Sequence, residues 1–151
     1  MAVVLAYIHY ISFALAMALL VQEWSLLKDV PQKPGLLRRL SVVDGLYGLA
    51  ALGSLGSGLL RASLTEKGWG YYLHNGFFHG KLTLFVLAAL LSLYPTIYFV
   101  RKRKTADDAQ LEAADLATLK RIKRCLLIEM HLYALIPLLA TLMARGYGFT
   151  K

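Results

Sequence analysis

Four stretches of the chain are apolar over lengths that match the hydrocarbon core of a bilayer, about 20 residues in a helix. Met1–Val21 contains no charged side chain, Ser41–Leu60 contains only Asp44, Leu82–Val100 contains none, and Cys125–Ala144 contains only Glu129. The third pattern begins as early as Phe77. The polar connections are too short to be domains. The pattern therefore predicts one all-α domain, a bundle of four transmembrane helices at about 1–24, 41–61, 77–101 and 108–145. The last helix is expected to start outside the membrane. Leu111, Leu116 and Leu119 recur there at helical spacing, and Asp107 and Asp108 stand where acids favour a helix N-terminus. Pro31, Pro34 and Gly35 break the first connection. The second, Ala62–Gly76, holds Trp69, Tyr71, Tyr72 and His74, an interfacial aromatic belt with room for a short helix. Pro95 and Pro137 are expected to bend the third and fourth helices. Ala14-Leu15-Ala16 resembles a signal cleavage site, but no positive charge precedes the first run. An uncleaved first helix is expected.

Composition agrees with this pattern. Of 151 residues, 58% are hydrophobic and 17% charged, against about 25% charged in soluble domains. Disorder is excluded, and the composition argues against an ordinary soluble domain. The net charge of +8 admits a nucleic-acid binder until the cations are placed. Lys28, Lys33, Arg38 and Arg39 follow the first run, and Arg101–Lys104, Lys120, Arg121, Lys123 and Arg124 follow the third. The other side has Arg61, Lys67, Lys81, Arg145 and Lys151. The positive-inside rule puts the first group in the cytoplasm and both termini outside. Arg101–Lys104 directly abuts Val100, so it reads as the flank of a span and not as a nucleic-acid site. The expected partners are the bilayer and its anionic headgroups, with other membrane subunits or a second copy also compatible. Cys125 is alone, which excludes an intrachain disulfide and a cysteine zinc cluster. No CxxCH, GxSxG, HExxH or phosphate-binding loop is present, so the motifs name no reaction.

A charge inside a span costs roughly 2.5–3.5 kcal/mol at the helix centre on insertion scales, so each one implies a partner or a task in the interior. His9 and Glu23, 14 residues apart, share a face of the first helix. His9 is expected about 10 Å below the outer surface. It fits equally an interior ligand or proton carrier and a neutral imidazole bonded to a neighbouring helix. The second run carries Asp44, Tyr47, Ala51, Ser54, Gly58 and Arg61 on one face, acid at the inner end and base at the outer. Its small middle either lets a helix approach closely, the simpler reading, or leaves room for something flat. In the third run His79 and Lys81 are two residues apart and occupy different faces. Lys81 is expected to snorkel to the outer headgroups. In the fourth, Glu129 and His131 lie on opposite faces. Glu129 is expected to point inward, toward an inner Arg or Tyr47. His131 lines up with Arg145 and stays ambiguous. Two layers result: an outer one of His9, Arg61, His79, Lys81 and Arg145, and an inner one of Glu23, Asp44, Tyr47 and Glu129.

Non-covalent b-type haem needs one or two neutral imidazoles and cations near its propionates. His9 and His79 differ in expected depth by about 7 Å, and His9 and His131 by about 10 Å. His9 and His79 are therefore the expected pair of haem-iron ligands, with Arg61, Lys81 or Arg145 at the propionates. Leu5-Ala6-Tyr7-Ile8-His9 resembles the opening of the HemJ-type membrane protoporphyrinogen oxidases, and Phe78-His79-Gly80-Lys81-Leu82 resembles their third-helix motif. That resemblance implies His9 as a haem ligand and His79 and Lys81 as functional positions. The same grouping includes CopD-type copper-resistance membrane proteins. The third helix carries Tyr94-Pro95 near its inner end, and the chain has Glu129 and a long polar loop. These departures from HemJ bear on the oxidase activity more than on haem binding. Over nearly its whole length the chain is similar to an uncharacterised bacterial membrane family, domain-of-unknown-function family 2214. The similarity runs through Asp44–Ala50, Gly58–Arg61, Phe78–Leu82, Leu93–Thr96, Ile136–Ala140 and Met143–Gly146. The expectation is a bacterial inner-membrane protein that binds haem b, in electron transfer or porphyrin oxidation. An accessory subunit of a larger respiratory or photosynthetic complex and CopD-like metal transport are the alternatives. Four Met and one Cys make the last a poor copper inventory.

Overall fold

The computed structural model describes residues 1–64, 68–104 and 112–149. These form five helices, α1 (Ala2–Leu27), α2 (Leu36–Leu64), α3 (Gly68–Leu73), α4 (Gly76–Lys102) and α5 (Ala113–Ala144). All but α3 are long and apolar enough to cross a membrane. Lys67, Asp107, Asp108, Leu111 and Lys151, and the expected start of the last helix at 108, lie outside the described residues. The helix α2 begins five residues before the apolar window because Leu37 and Leu40 are themselves core residues, 1% and 0% exposed. Pro31, Pro34 and Gly35 fall in the turns between α1 and α2, with Val30 tucked under them.

The long helices run up and down. The α1–α2 pair and the α4–α5 pair pack along their lengths, and α1 against α5 and α2 against α4 close the bundle. Lipid tails are as apolar as leucine, so close packing and interhelical polar contacts hold such helices together. That packing is lopsided. Leu20, Leu27, Leu37, Leu40, Phe99, Ile122 and Leu126 are essentially unexposed, and all belong to the half away from the termini. This basic half is solid. The terminus-bearing half is thinner, and a cavity opens there. On the outside Val42, Leu49, Leu52, Val86, Leu90, Ile128 and Leu138 form an exposed apolar belt, the surface a bilayer solvates.

At the basic end α4 and α5 are latched by a charge missing from the expected inner layer. Asp115, in the first turn of α5, accepts from the Tyr98 hydroxyl at 3.1 Å and pairs with Lys102 at 2.8 Å. Lys102 is more than one-third exposed, so water screens this pair. Replacing Lys102 with Met is expected to cost less than about 1 kcal/mol, a shift of a few degrees at most in a detergent melting curve. A larger drop would mean that the latch organises the whole basic end.

Candidate functional site

The cavity has a volume of about 700 Å³, within the roughly 300–1,000 Å³ range of small-molecule sites. All five helices line it. Its wall takes His9, Tyr10 and Phe13 from α1, Ser54, Gly58 and Arg61 from α2, and Phe78, Lys81 and Phe85 from α4. Ile136, Ala140 and Met143 come from α5, and Tyr71 and Tyr72 from α3. The set is apolar and aromatic with three basic groups, and no Asp or Glu among the described residues lines it. Such a wall favours an amphiphile with a flat apolar body and a negative end.

His9 is held in one orientation. Its Nδ1–H donates to the Ser54 carbonyl at 2.8 Å, with the Ser57 hydroxyl 3.4 Å away. A carbonyl only accepts, so this bond puts the ring proton on Nδ1 and leaves Nε2 with a lone pair. Among the described residues Nε2 has no hydrogen-bond partner. The ring lies against Gly58, where an added Cβ would come within 3.0 Å of Cε1. The small residues of the α2 stripe thus seat a side chain. Gly53 performs the related task of admitting Ser12, whose Oγ would lie 3.1 Å from a Cβ placed there, whereas a Cβ at Gly45, Gly48 or Gly56 would meet nothing within 4 Å. The Arg61 guanidinium lies 5.3 Å from the Tyr10 ring centroid and Lys81 Nζ lies 5.6 Å from that of Phe78. Both cations are half-buried, held on the wall by aromatic faces.

The structure brings His9, Arg61 and Lys81 together and leaves His79 and Arg145 apart from them. The cavity face of α4 is Phe78, Lys81, Leu82 and Phe85, spaced three, four and seven residues from the first. His79 is rotated off that face by one residue. It is exposed, and its Nε2–H donates to the Leu73 carbonyl at 2.9 Å. The expected His9–His79 pair is therefore not brought together: His9 lines the cavity and His79 does not. Lys81 turns to the cavity and not simply to headgroups. Arg145 caps α5, exposed, beyond the stretch of α5 that forms the wall. His74 and His131 are exposed and bond carbonyls four residues earlier in the chain, Gly70 and Leu127.

Sequence reasoning missed the roof. Asn75, wholly buried, caps α4 by accepting from Phe77 N–H at 3.0 Å, and its Nδ2 donates to the Tyr147 carbonyl at 2.9 Å. Gly76 N–H adds a 2.8 Å bond to the Gly148 carbonyl. This bracket fastens the chain beyond α5 to the start of α4. Phe149 then meets the Tyr71 ring at 4.8 Å, and the Tyr72 ring meets Phe78 at 5.4 Å. The interfacial belt predicted for residues 62–76 thus divides. Trp69 stays exposed while Tyr71 and Tyr72 cover the cavity.

Below the cavity, Tyr133 of α5 stacks on Phe13 at 5.3 Å and meets Tyr47 at 6.0 Å and Phe85 at 6.2 Å. It joins the cavity floor to the inner polar layer. There Tyr47 donates to Glu129 Oε1 at 2.5 Å, and Thr96 lies 2.8 Å from Asp44 Oδ1. Glu23 is fully buried, and neither of its oxygens has a partner among the described residues. Also among the described residues, no three His, Cys, Asp or Glu side chains form a metal site.

No curated protein and no solved structure matches the chain, so the HemJ-type and CopD-type resemblances rest on their short motifs alone. A family model described as a predicted membrane protein of unknown function matches residues 1–148. With that match running over nearly every residue, the chain belongs to the DUF2214 family of predicted membrane proteins.

Proposed function

We propose that the chain is a haem-binding membrane protein, with b-type haem in the terminus-side cavity and His9 as its one protein ligand to iron. One observation carries the reading. The imidazole is fixed through Nδ1 on a backbone carbonyl, as ligating histidines commonly are, and among the described residues its unprotonated Nε2 is left without a partner on the wall of a large aromatic cavity. The other groups fit the same occupant. Arg61 and Lys81 would take the propionates, and Tyr10, Phe13, Phe78 and Phe85 would contact the macrocycle. Haem bound here would supply one-electron chemistry. The chain's own part is to fix the imidazole, neutralise the carboxylates, and exclude water beneath Tyr71 and Tyr72. By the positive-inside rule the cavity faces the non-cytoplasmic side of a bacterial inner membrane.

The test is the absorption spectrum of the protein purified in detergent from haem-replete cells. A Soret band is expected in the parent and in His79→Ala, and its loss in His9→Ala. A colourless parent that also fails to take up added haem would end the proposal. A band that survives His9→Ala would reassign the ligand.

A further inference from the structure

The inner layer has chemistry that the cavity does not use. Glu23 of α1, Asp44 of α2 and Glu129 of α5 are 0%, 4% and 0% exposed, so each side chain is more than nine-tenths buried. Glu23 has Asp44 and Glu129 as electrostatic neighbours, and Glu129 has Asp44. The groups facing them complete the set without a cation among the described residues: Tyr47 from α2, Tyr133 from α5 and the Thr96 hydroxyl from α4. Three carboxylates in a lipid-embedded core with no counter-charge could not all be ionised, because mutual repulsion would add to the loss of hydration.

Two separate observations bear on what neutralises them. Among the described residues both oxygens of Glu23 and the Oε2 of Glu129 are buried with no partner, as is the hydroxyl of Ser41, one turn before Asp44. The Thr96 hydroxyl has one proton but lies 2.8 Å from both Asp44 Oδ1 and the Ser92 carbonyl. Thr96 cannot donate to both. A proton on Asp44 resolves the conflict, for Asp44 then donates to Thr96 and Thr96 donates to Ser92.

We propose that Glu23, Asp44 and Glu129 form a proton-binding site in the basic half of the bundle, filled by protons and not by a metal ion. The site does not depend on haem. Tyr133, packed on both Phe13 and Tyr47, couples it mechanically to the cavity floor.

Infrared spectra of the full chain test this, taken in an ester-free maltoside detergent so that no lipid carbonyl overlaps the signal. At neutral pH a protonated-carboxyl band is expected that fades as pH is raised. It should lose intensity in Glu23→Gln, Asp44→Asn and Glu129→Gln, and keep it in the exposed control Asp29→Asn. Absence of the band in the parent would overturn the proposal whether or not the variants fold. So would a band left intact by all three variants. A band removed by sodium or calcium at constant pH would assign the cluster to a metal cation instead. Since the haem spectrum is read on the same sample, failure of one proposal is distinguishable from failure of the other.

Discussion

With haem bound as proposed, Gly58→Ala is expected to weaken its binding by roughly 10–100-fold, the usual loss when the group orienting a ligating histidine is disturbed, while leaving the helix intact. The new methyl carbon would lie 3.0 Å from His9 Cε1 and 3.2 Å from Nδ1. The imidazole is the side that must yield, because Gly58 is part of a continuous helical backbone. Moving the ring lengthens its bond to the Ser54 carbonyl and frees the tautomer that this bond selects. Local stability moves the other way, since alanine in a helix interior is favoured over glycine by about 1 kcal/mol. Haem titration followed at the Soret band, with far-ultraviolet circular dichroism on the same sample, separates the two effects. Unchanged affinity would mean that His9 is not held against α2 in the functional state.

The largest effect on stability is expected at Tyr133. This ring is 1% exposed and touches α1 through Phe13, α2 through Tyr47 and α4 through Phe85. No other aromatic contact described above joins four helices. Truncation to alanine removes these contacts together and opens a void where the cavity floor meets the inner layer. Large aromatic-to-alanine changes in cores cost about 3–5 kcal/mol. In a bilayer the loss falls on packing itself, because water gains nothing when the helices separate. Tyr133→Phe keeps the ring and is expected to cost much less, since Tyr47 still donates to Glu129. Reversible unfolding in mixed micelles reads both values. A cost below about 1 kcal/mol for Tyr133→Ala would show that the bundle collapses around the void and that the floor is soft.

The fold was legible because a bilayer imposes one demand over a long distance, and each of the four runs answers it in sequence. The α2 stripe was legible for a related reason. Asp44, Tyr47, Ser54, Gly58 and Arg61 differ from the apolar background, so their period shows. Polar groups inside or beside apolar spans likewise marked His9, Arg61 and Lys81, which the cavity wall includes. His79 was harder. Depth along a helix follows from residue number, but rotation about the axis is set by packing against three neighbours. Lys81 and His79 could exchange roles until Phe78, Lys81, Leu82 and Phe85 were seen on one face. The aromatic walls were invisible because Phe13 and Phe85 look the same in sequence whether they face lipid or a cavity. Asn75 was hidden in a polar loop and Asp115 in the polar start of the last helix. What sets them apart is a partner, Tyr147 in one case and Tyr98 with Lys102 in the other. The Asn75 partner lies 72 residues away.

The Asn75 bracket also makes the two ends of the chain mechanically unequal. Both ends sit on the same side of the bundle. Met1 supplies no side-chain cap to α1, so tension applied there meets the first helical turn directly. Tension applied at residue 149 first loads the bonds from Asn75 and Gly76 to the carbonyls of Tyr147 and Gly148, with the Tyr71 ring behind them. The bracket is a clasp in series with α5. Drawn out of a membrane from its last residues, the chain would part Phe149 from Tyr71 and undo the clasp on Asn75 and Gly76 before it gave up a helix, while all four spans were still in place.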